Sequence, residues 1–434
     1  MYKKNKIVYV GLSADILHSG HINLIKFASK YGKVVVGLLT DKAISSYKSF
    51  PHLSYEQRYE VIRNIKHVYK VIPQQTLDYT KNLIKIKPDY VAHGDDWKTG
   101  IQKKTRSNVI KTLKKWSGKL IEKKYTENIS SSYLKNKIKA VGTTPDNRRS
   151  KLKRLIFAKD IVRVLETHSP LTGLIVENLI KKTTKSYFEF DAMWSSSLTD
   201  SVVRGMHDNQ SVDYSTRITG VNDIFNVTTK PLIFDIDNGG RIEHLGNLVK
   251  KLDSFGVSSI ILEDKVGLKK NSLFQNQSNA KQDSIKNICK KIKKAQSSKL
   301  SEDFLTIIRI ESFILGKNLN DALKRAEAYI DAGCNGIMIH SKDKTAKNVF
   351  LFSKQLRKLG YDNIPLVAVP STYSSTHETE LIRNGFNIVI YANHMLRASY
   401  KSMLDVAENI LKNRKASFAD KKITGIKEIL NLIK

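Results

Sequence analysis

The chain has 434 residues, 41% hydrophobic and 26% charged, a globular composition long enough for two domains that each bury a core. Its two cysteines, Cys289 and Cys334, exclude a disulfide framework or a multi-cysteine metal site, and no run of about 18 apolar residues is present to span a membrane. The Lys-rich start leads into a short strand-like run rather than a signal peptide, so a cytoplasmic chain with no membrane partner is expected. The net charge of +33 is the one total that suggests nucleic acid. Its lysines are scattered, in pairs such as Lys103-Lys104, Lys181-Lys182, Lys250-Lys251 and Lys290-Lys291, with no interleaved aromatics and no nucleic-acid module. The charge therefore reads as a solvated surface whose field favours small anions, with nucleic-acid binding as the remote alternative.

Ile7–Leu12, Val34–Leu39 and Asp89–His93 are β-rich runs separated by helix-like segments, the alternation of a parallel α/β sheet. The first run leads through Asp15-Ile-Leu-His18-Ser-Gly20-His21 into a helical pattern at Ile22, Leu24, Ile25, Phe27 and Ala28. A strand-to-helix turn aims free N–H groups and a helix dipole at an anion, and Gly20 allows close approach. Two imidazoles beside it are suited to stabilising a pentavalent phosphorus.

His18-Ser-Gly-His21, Tyr55-Glu-Gln-Arg58, His93-Gly-Asp95-Asp-Trp97 and Thr126-Glu-Asn-Ile-Ser130-Ser131-Ser132 follow one another in this order. Over roughly residues 1–137 the chain resembles the nucleotidylyltransferase superfamily, in its glycerol-3-phosphate cytidylyltransferase-like branch. The resemblance implies a Rossmann-like domain in which His18 and His21 meet the nucleotide phosphates. Lys48 and Arg58 would neutralise phosphate charge, while Asp15, Asp95 and Trp97 would help form the nucleotide pocket. Ser130, Ser131 and Ser132 would cap a helix facing the triphosphate, and Mg2+ would accompany CTP. The chain departs from the pattern at Ala14, Tyr125 and Asn128, which leaves a ligand-binding or scaffolding module as an alternative to a transferase.

Val141-Gly-Thr-Thr-Pro-Asp-Asn-Arg-Arg-Ser150 combines turn formers with charge and breaks the periodicity. The expected organisation is a first domain over 1–140, a linker over 141–152 and a second domain over 153–434. Strands are expected at Arg163–Ser169, Tyr187–Trp194, Pro231–Asp237, Ser258–Lys265, Leu305–Phe313, Asn335–Lys342, Pro365–Tyr373 and Asn387–Asn393, with helical patterns such as Leu245–Phe255 and Leu319–Ala332 between them. Eight strands in this alternation favour a (β/α)8 TIM-type barrel. Glu166, His168, Trp194, Ser196, Asp235, Asp237, Glu263, Arg309, Glu311, His340, Ser371 and Asn393 all fall at or near the carboxyl ends of these runs, the face on which barrels build sites. Glu263 and Asp264 together read as cation-holding carboxylates, and Lys265, Lys269 and Asn271 as a polar segment suited to closing over an anion.

Glu263-Asp-Lys265 followed by Lys269, Asn271 and Ser272 resembles the phosphoenolpyruvate mutase and isocitrate lyase superfamily over roughly residues 155–415. The lyases of that superfamily carry a cysteine in this loop, and its absence here disfavours carbon–carbon lysis. The resemblance implies Mg2+ on Asp235, Asp237 and Glu263, with Trp194, Ser196, Ser197, Leu198 and Ser272 binding substrate. Arg309 and His340 would grip its oxygens, Asp208 would stand beside a migrating phosphoryl group, and Lys269 and Asn271 would lie on a gating loop over Val266–Gln282. Ser197 stands where the family has glycine, so a positive φ would be strained there. A cytidylyltransferase-like domain ahead of such a barrel resembles the fusion that initiates fosfomycin biosynthesis. It implies an enzyme that isomerises phosphoenolpyruvate to phosphonopyruvate and passes CMP from CTP to a downstream phosphonate. Phosphonopyruvate hydrolase shares most of the barrel site and is the close alternative. A phosphonopyruvate decarboxylase is the implied pathway partner. A homodimer or homotetramer exchanging the helix at Ser402–Lys412 is the implied assembly.

Overall fold

The computed structural model describes residues 6–124, 142–183, 187–267, 269 and 281–433. The chain divides into two compact units, one built mainly from residues before 142 and one mainly from residue 142 onward. The first holds a five-stranded sheet of β1 (Ile7–Leu12), β2 (Lys33–Leu39), β3 (Val68–Gln74), β4 (Tyr90–Gly94) and β5 (Lys119–Lys123). All pairs are parallel and the order is β3-β2-β1-β4-β5. β1 and β2 are continuous apolar runs, as strands covered on both faces must be. β3 and β5 escape the sequence pattern because they are edges. β3 carries Lys70 and Pro73 and β5 is Lys-Leu-Ile-Glu-Lys, composition that only a half-exposed edge tolerates. This order places a switch of direction between β1 and β4, whose carboxyl ends open a crevice.

The second unit is a closed parallel barrel of β6 (Val162–Glu166), β9 (Ala192–Ser195), β10 (Leu232–Asp235), β11 (Ser259–Glu263), β14 (Leu305–Ile310), β15 (Gly336–Ile339), β16 (Leu366–Ala368) and β17 (Ile388–Tyr391). Each expected run overlaps one barrel strand, with β6 starting before its run and β9 ending after its run. The run Tyr187–Trp194 proves to be two elements, because β8 (Tyr187–Glu189) pairs antiparallel with β7 (Ile180–Lys182) before β9 enters the barrel. Between β8 and β9 the buried Asp191 accepts from the Arg163 amide at 2.9 Å and pairs with Lys159 Nζ, so the chain turns at a satisfied carboxylate. A further two-stranded pair, β12 (Lys265–Val266) with β13 (Lys281–Gln282), brings together the two ends of the segment expected to gate the site. Asn271 and Ser272 lie outside the described residues, as do Ser130, Ser131 and Ser132.

The segment read as a linker, 141–152, is helical from Pro145 to Ala158, so its turn formers are the start of a helix. Thr144 caps it by accepting the Asn147 amide, and Pro145 occupies the first turn, where its missing N–H costs nothing. Its two buried arginines tie it to neighbouring connections. Arg148 donates to the carbonyls of Phe225, Thr228 and Lys230 at 3.1, 2.5 and 2.9 Å and stacks on Phe225, while Arg149 pairs with Asp253 at 2.7 Å. Arg148→Ala would leave those buried carbonyls without donors, and a loss of about 3 kcal/mol in the barrel's unfolding transition is expected. The exposed Lys250→Ala should stay within about 0.5 kcal/mol of wild type. Calorimetric unfolding checks both, and equal transitions for the two variants contradict the assignment.

Candidate functional site

At the carboxyl ends of the barrel strands a cavity is lined by Trp194, Ser196, Leu198, Asp208, Asp235, Lys269, Arg309, Met338, His340, Ser371 and Asn393, among others. The fold thus gathers residues spread over 200 positions of sequence. β10 ends at Asp235, and the chain then turns through Asp237, whose φ of +51° is tolerable for an aspartate. The Asp237 amide donates to Asp235 Oδ1 at 2.9 Å, which fixes both carboxylates. Ser197 Oγ lies 3.0 Å from Asp235 Oδ2 and 2.8 Å from Asp237 Oδ1, so its one hydroxyl proton serves the pair. Lys269 Nζ sits among these groups, 2.5 Å from Asp237, 3.3 Å from Asp208 and 3.5 Å from Asp235, and in contact with Ser197 Oγ. The carboxylates around it hold this lysine protonated well above its ordinary range, and with Arg217 and Arg309 it keeps Asp235 ionised despite burial.

Ser197 is not strained. It opens the helix Ser197–Val202 and is absent from the residues of positive φ, so a glycine is not needed there. Glu263 and Asp264 do not act as a pair, because successive strand residues face opposite sides. Glu263 faces inward, whereas Asp264 accepts from Glu311 N at 2.9 Å, Gln282 Nε2 at 2.8 Å and Tyr329 OH at 2.9 Å and pairs with Arg325. Arg325 and Tyr329 belong to helix Leu319–Asp331, so Asp264 fastens a strand end to the helical layer. Burial pushes Glu263 up to about 7, and its Oε2 has no hydrogen bond among the described residues, with Lys265 and Arg309 each at 3.8 Å. Those hard oxygens suit a divalent cation. Among the described residues no three His, Cys, Asp or Glu side chains stand arranged to hold a metal ion, and the ammonium of Lys269 lies between the aspartates.

Opposite them, Arg309 and His340 project from the ends of β14 and β15. His340 Nδ1 and Asn393 Oδ1 are buried without hydrogen-bond partners among the described residues, and both side chains line the cavity. Trp194 is 3% exposed and forms a packed wall. Sequence reasoning did not single out the support beneath the cavity. Arg217 donates to Asp200 Oδ2 at 2.9 Å and to the Asp235 carbonyl at 2.6 Å, and Ser195 Oγ also donates to Asp200. These residues lie before or within helices and carry no motif, so only the fold reveals them.

The first unit has its centre where β1 meets helix Ser19–Ala28. His18 Nδ1 accepts from Gly20 N at 3.2 Å, and His21 Nδ1 accepts from His18 N at 3.3 Å, so the two histidines cap the helix reciprocally. Accepting at Nδ1 fixes the neutral tautomer and turns each Nε2–H into a donor. The rings lie 4.0 Å apart. Burial drives His21 down to about 3, with His18 and Lys48 adding to the effect, and burial also lowers Lys48 to about 8. Lys48 donates to Ser13 Oγ at 2.7 Å.

Three expected nucleotide contacts are engaged elsewhere. Arg58 is fully buried and donates to Ser13 O, Leu39 O and Leu53 O and to Asp41, so it braces the loop beside the histidines. Asp15 accepts the amides of His52 and Leu53 at 2.6 and 3.0 Å. Trp97 is buried, stacks on His93 at 3.8 Å and donates to Glu122, which Arg106 also grips. Asp95 opens the 3-10 turn Asp95–Lys98 and is partly exposed.

A closed parallel barrel with these carboxylates, lysine, arginine and histidine at its carboxyl end, preceded by a parallel sheet with a histidine-capped helix, defines a two-domain α/β enzyme. The chain belongs to the phosphoenolpyruvate phosphomutase family, whose pattern matches residues 152–411, and residues 9–137 match the cytidylyltransferase-like family. It is 31% identical over 289 residues to a phosphoenolpyruvate phosphomutase of Tetrahymena pyriformis, covering 66% of this chain and 91% of that one. Residues in the first unit share 32% identity over 134 residues with an ethanolamine-phosphate cytidylyltransferase of Dictyostelium discoideum, 30% of this chain and 36% of that one. A solved structure of phosphonopyruvate hydrolase with oxalate and Mg2+ is 26% identical, with a TM-score of 0.58, over 67% of this chain and 95% of that one.

The buried histidines supply a check on this geometry. His21 and His340 are both lowered to about 3, His340 by burial and by Arg309. An imidazole depressed from an ordinary value near 6.5 favours the folded state fully above pH 6.5 and loses that contribution as pH falls toward 3. NMR of ring nitrogens should show neither residue protonating between pH 8 and 5. A midpoint near 6.5 for either contradicts the buried placement.

Proposed function

We propose that the barrel interconverts phosphoenolpyruvate and phosphonopyruvate, and that the first unit transfers CMP from CTP to a phosphonate. The observation that carries the barrel reading is the convergence of Asp208, Asp235 and Asp237 on Lys269, facing Arg309 and His340, in a chain of this family. In the forward direction the P–O bond of the enol phosphate breaks and a P–C bond forms at the methylene carbon, with no atom gained or lost. Arg309 and His340 hold anionic oxygens, Trp194 and Leu198 wall the apolar side, and Ser196 and Ser197 offer backbone donors at a helix start. Asp208 stands beside the path of the phosphoryl group, and Lys269 balances the charge it carries. Asp235, Asp237 and Glu263 would hold Mg2+, which supplies a Lewis acid to the oxygens of the enolate. Lys269 would help keep water from the phosphoryl group, and Asn271 and Ser272 are proposed to act with it on the substrate.

In the first unit, a phosphonate oxygen attacks the α-phosphorus of CTP and pyrophosphate leaves. The Nε2–H groups of His18 and His21 and the ammonium of Lys48 stabilise the added negative charge, while Asp15, Arg58, Asp95 and Trp97 shape the loops around them. Ser130, Ser131 and Ser132 would meet the triphosphate, with Mg2+ accompanying CTP. Forming phosphonopyruvate is uphill, so a phosphonopyruvate decarboxylase drawing on the product is the proposed partner. We place the enzyme in the cytoplasm; no helix among the described residues is long and apolar enough to cross a membrane. Asp208→Ala should abolish phosphoenolpyruvate formation while sparing CMP transfer, and His21→Ala should do the reverse. Loss of both activities in either variant, or of neither, defeats the two-site reading.

The assembly is proposed to be a homodimer or a homotetramer. Helix His394–Asn413 runs for 20 residues with none buried, yet Tyr400, Met403, Leu404, Ile410 and Leu411 lie exposed along it at helical spacing. Leu411 is 80% exposed, a poor state for leucine in a single chain. Leu411→Glu should shift the mass measured by light scattering toward the monomer. A wild-type monomer at micromolar concentration contradicts the assembly.

A further inference from the structure

We propose that Glu311, backed by Lys265, is a positioning residue that sets how Arg309 presents its guanidinium to the barrel cavity. The chemical identity of the anion Arg309 receives rests on the mutase reading; the geometry does not. Arg309 and Glu311 sit two residues apart at the end of β14, the spacing that keeps side chains on one face. Arg309 Nε donates to Glu311 Oε1, and Glu311 Oε2 faces Lys265 Nζ at 3.3 Å. Lys265 Nζ and Arg309 Nη1 each lie 3.8 Å from Glu263 Oε2. Two carboxyl groups and two cations therefore alternate in one buried cluster.

Burial makes this arrangement directional. Glu311 is 0% exposed, so no water shares its charge, and an unpaired carboxylate there would be costly. A guanidinium is planar, and holding its Nε edge fixes the plane in which its remaining N–H groups reach the cavity. Without Glu311, the strongest pull on Arg309 comes from Glu263 and Asp235, which also attract it. Rotation toward them would withdraw the fork from an incoming dianion. Lys265 engages the second oxygen of Glu311 and so keeps that carboxylate from turning. It is also the first residue of β12, paired with Gln282, whose side chain donates to Asp264 and Ser312. The orientation of Arg309 is in this way tied to the base of the hairpin that leaves the barrel here.

The experiment is a double-mutant cycle read by calorimetric binding of oxalate in the presence of Mg2+, with phosphonopyruvate KM and kcat measured alongside. Glu311→Gln should weaken oxalate and raise KM by about tenfold, with a smaller change in kcat. In an Arg309→Met background the same substitution should change binding by less than about twofold, because the group it positions is gone. Unchanged binding in the single variant, or an equal loss in both backgrounds, overturns the proposal. Should Glu311→Gln fail to fold, Lys265→Gln in the same cycle decides, with a loss of several fold expected only when Arg309 is present. Wild-type protein that neither binds oxalate nor turns over phosphonopyruvate would defeat the mutase reading instead.

Discussion

Every feature of the barrel site follows from the cost of keeping charge out of water. Asp235, Asp237, Glu263, Glu311, Lys265, Lys269 and Arg309 are packed at one end of a closed sheet, and nearly all are shielded from solvent. An uncompensated member would destabilise the fold, so each must have an opposite charge or a donor within reach. That requirement explains why Lys269 lies among three aspartates, why Ser197 bridges two of them, and why Arg309 donates its Nε–H to Glu311. On the proposed function, a substrate bringing two anionic ends and a divalent cation would meet charges already arranged to receive it.

The first unit solves a smaller version of the same problem with backbone. A helix start and two neutral imidazoles present donors without burying a fixed charge, and Lys48 is the nearby cation. Other polar groups beside them hold loops in place. Asp15 accepts main-chain amides and Arg58 donates to main-chain carbonyls and to Asp41, which fixes the turn between β1 and the helix. The two units thus share a strategy in which few groups face the ligand and many hold those few still.

The barrel was legible because its strands are apolar runs that end in polar residues, and the carboxyl ends of such runs share a face whatever their spacing in sequence. Asp235, Arg309 and His340 could be placed together on that ground alone. The orientation of Asp264 could not, since Glu263 and Asp264 are chemically alike and only the strand's pleat separates them. Arg58 misled in the same way: its motif marks importance, but only the fold shows its guanidinium turned to carbonyls and Asp41. The edge strands β3 and β5 were hidden by their charges, and the helix at Pro145–Ala158 by an N-terminal signal that looks like a linker. The ion pairs under the site, Arg217 with Asp200 and Lys265 with Glu311, join residues 17 and 46 positions apart and leave no local pattern.

The central claim is that this charge-balanced cavity moves a phosphoryl group between oxygen and carbon. Phosphorus-31 NMR of purified protein with phosphonopyruvate and Mg2+, run in the downhill direction, tests it most directly. The account predicts conversion of the phosphonate resonance into that of phosphoenolpyruvate. Inorganic phosphate with pyruvate as the products would contradict it and make the barrel a hydrolase.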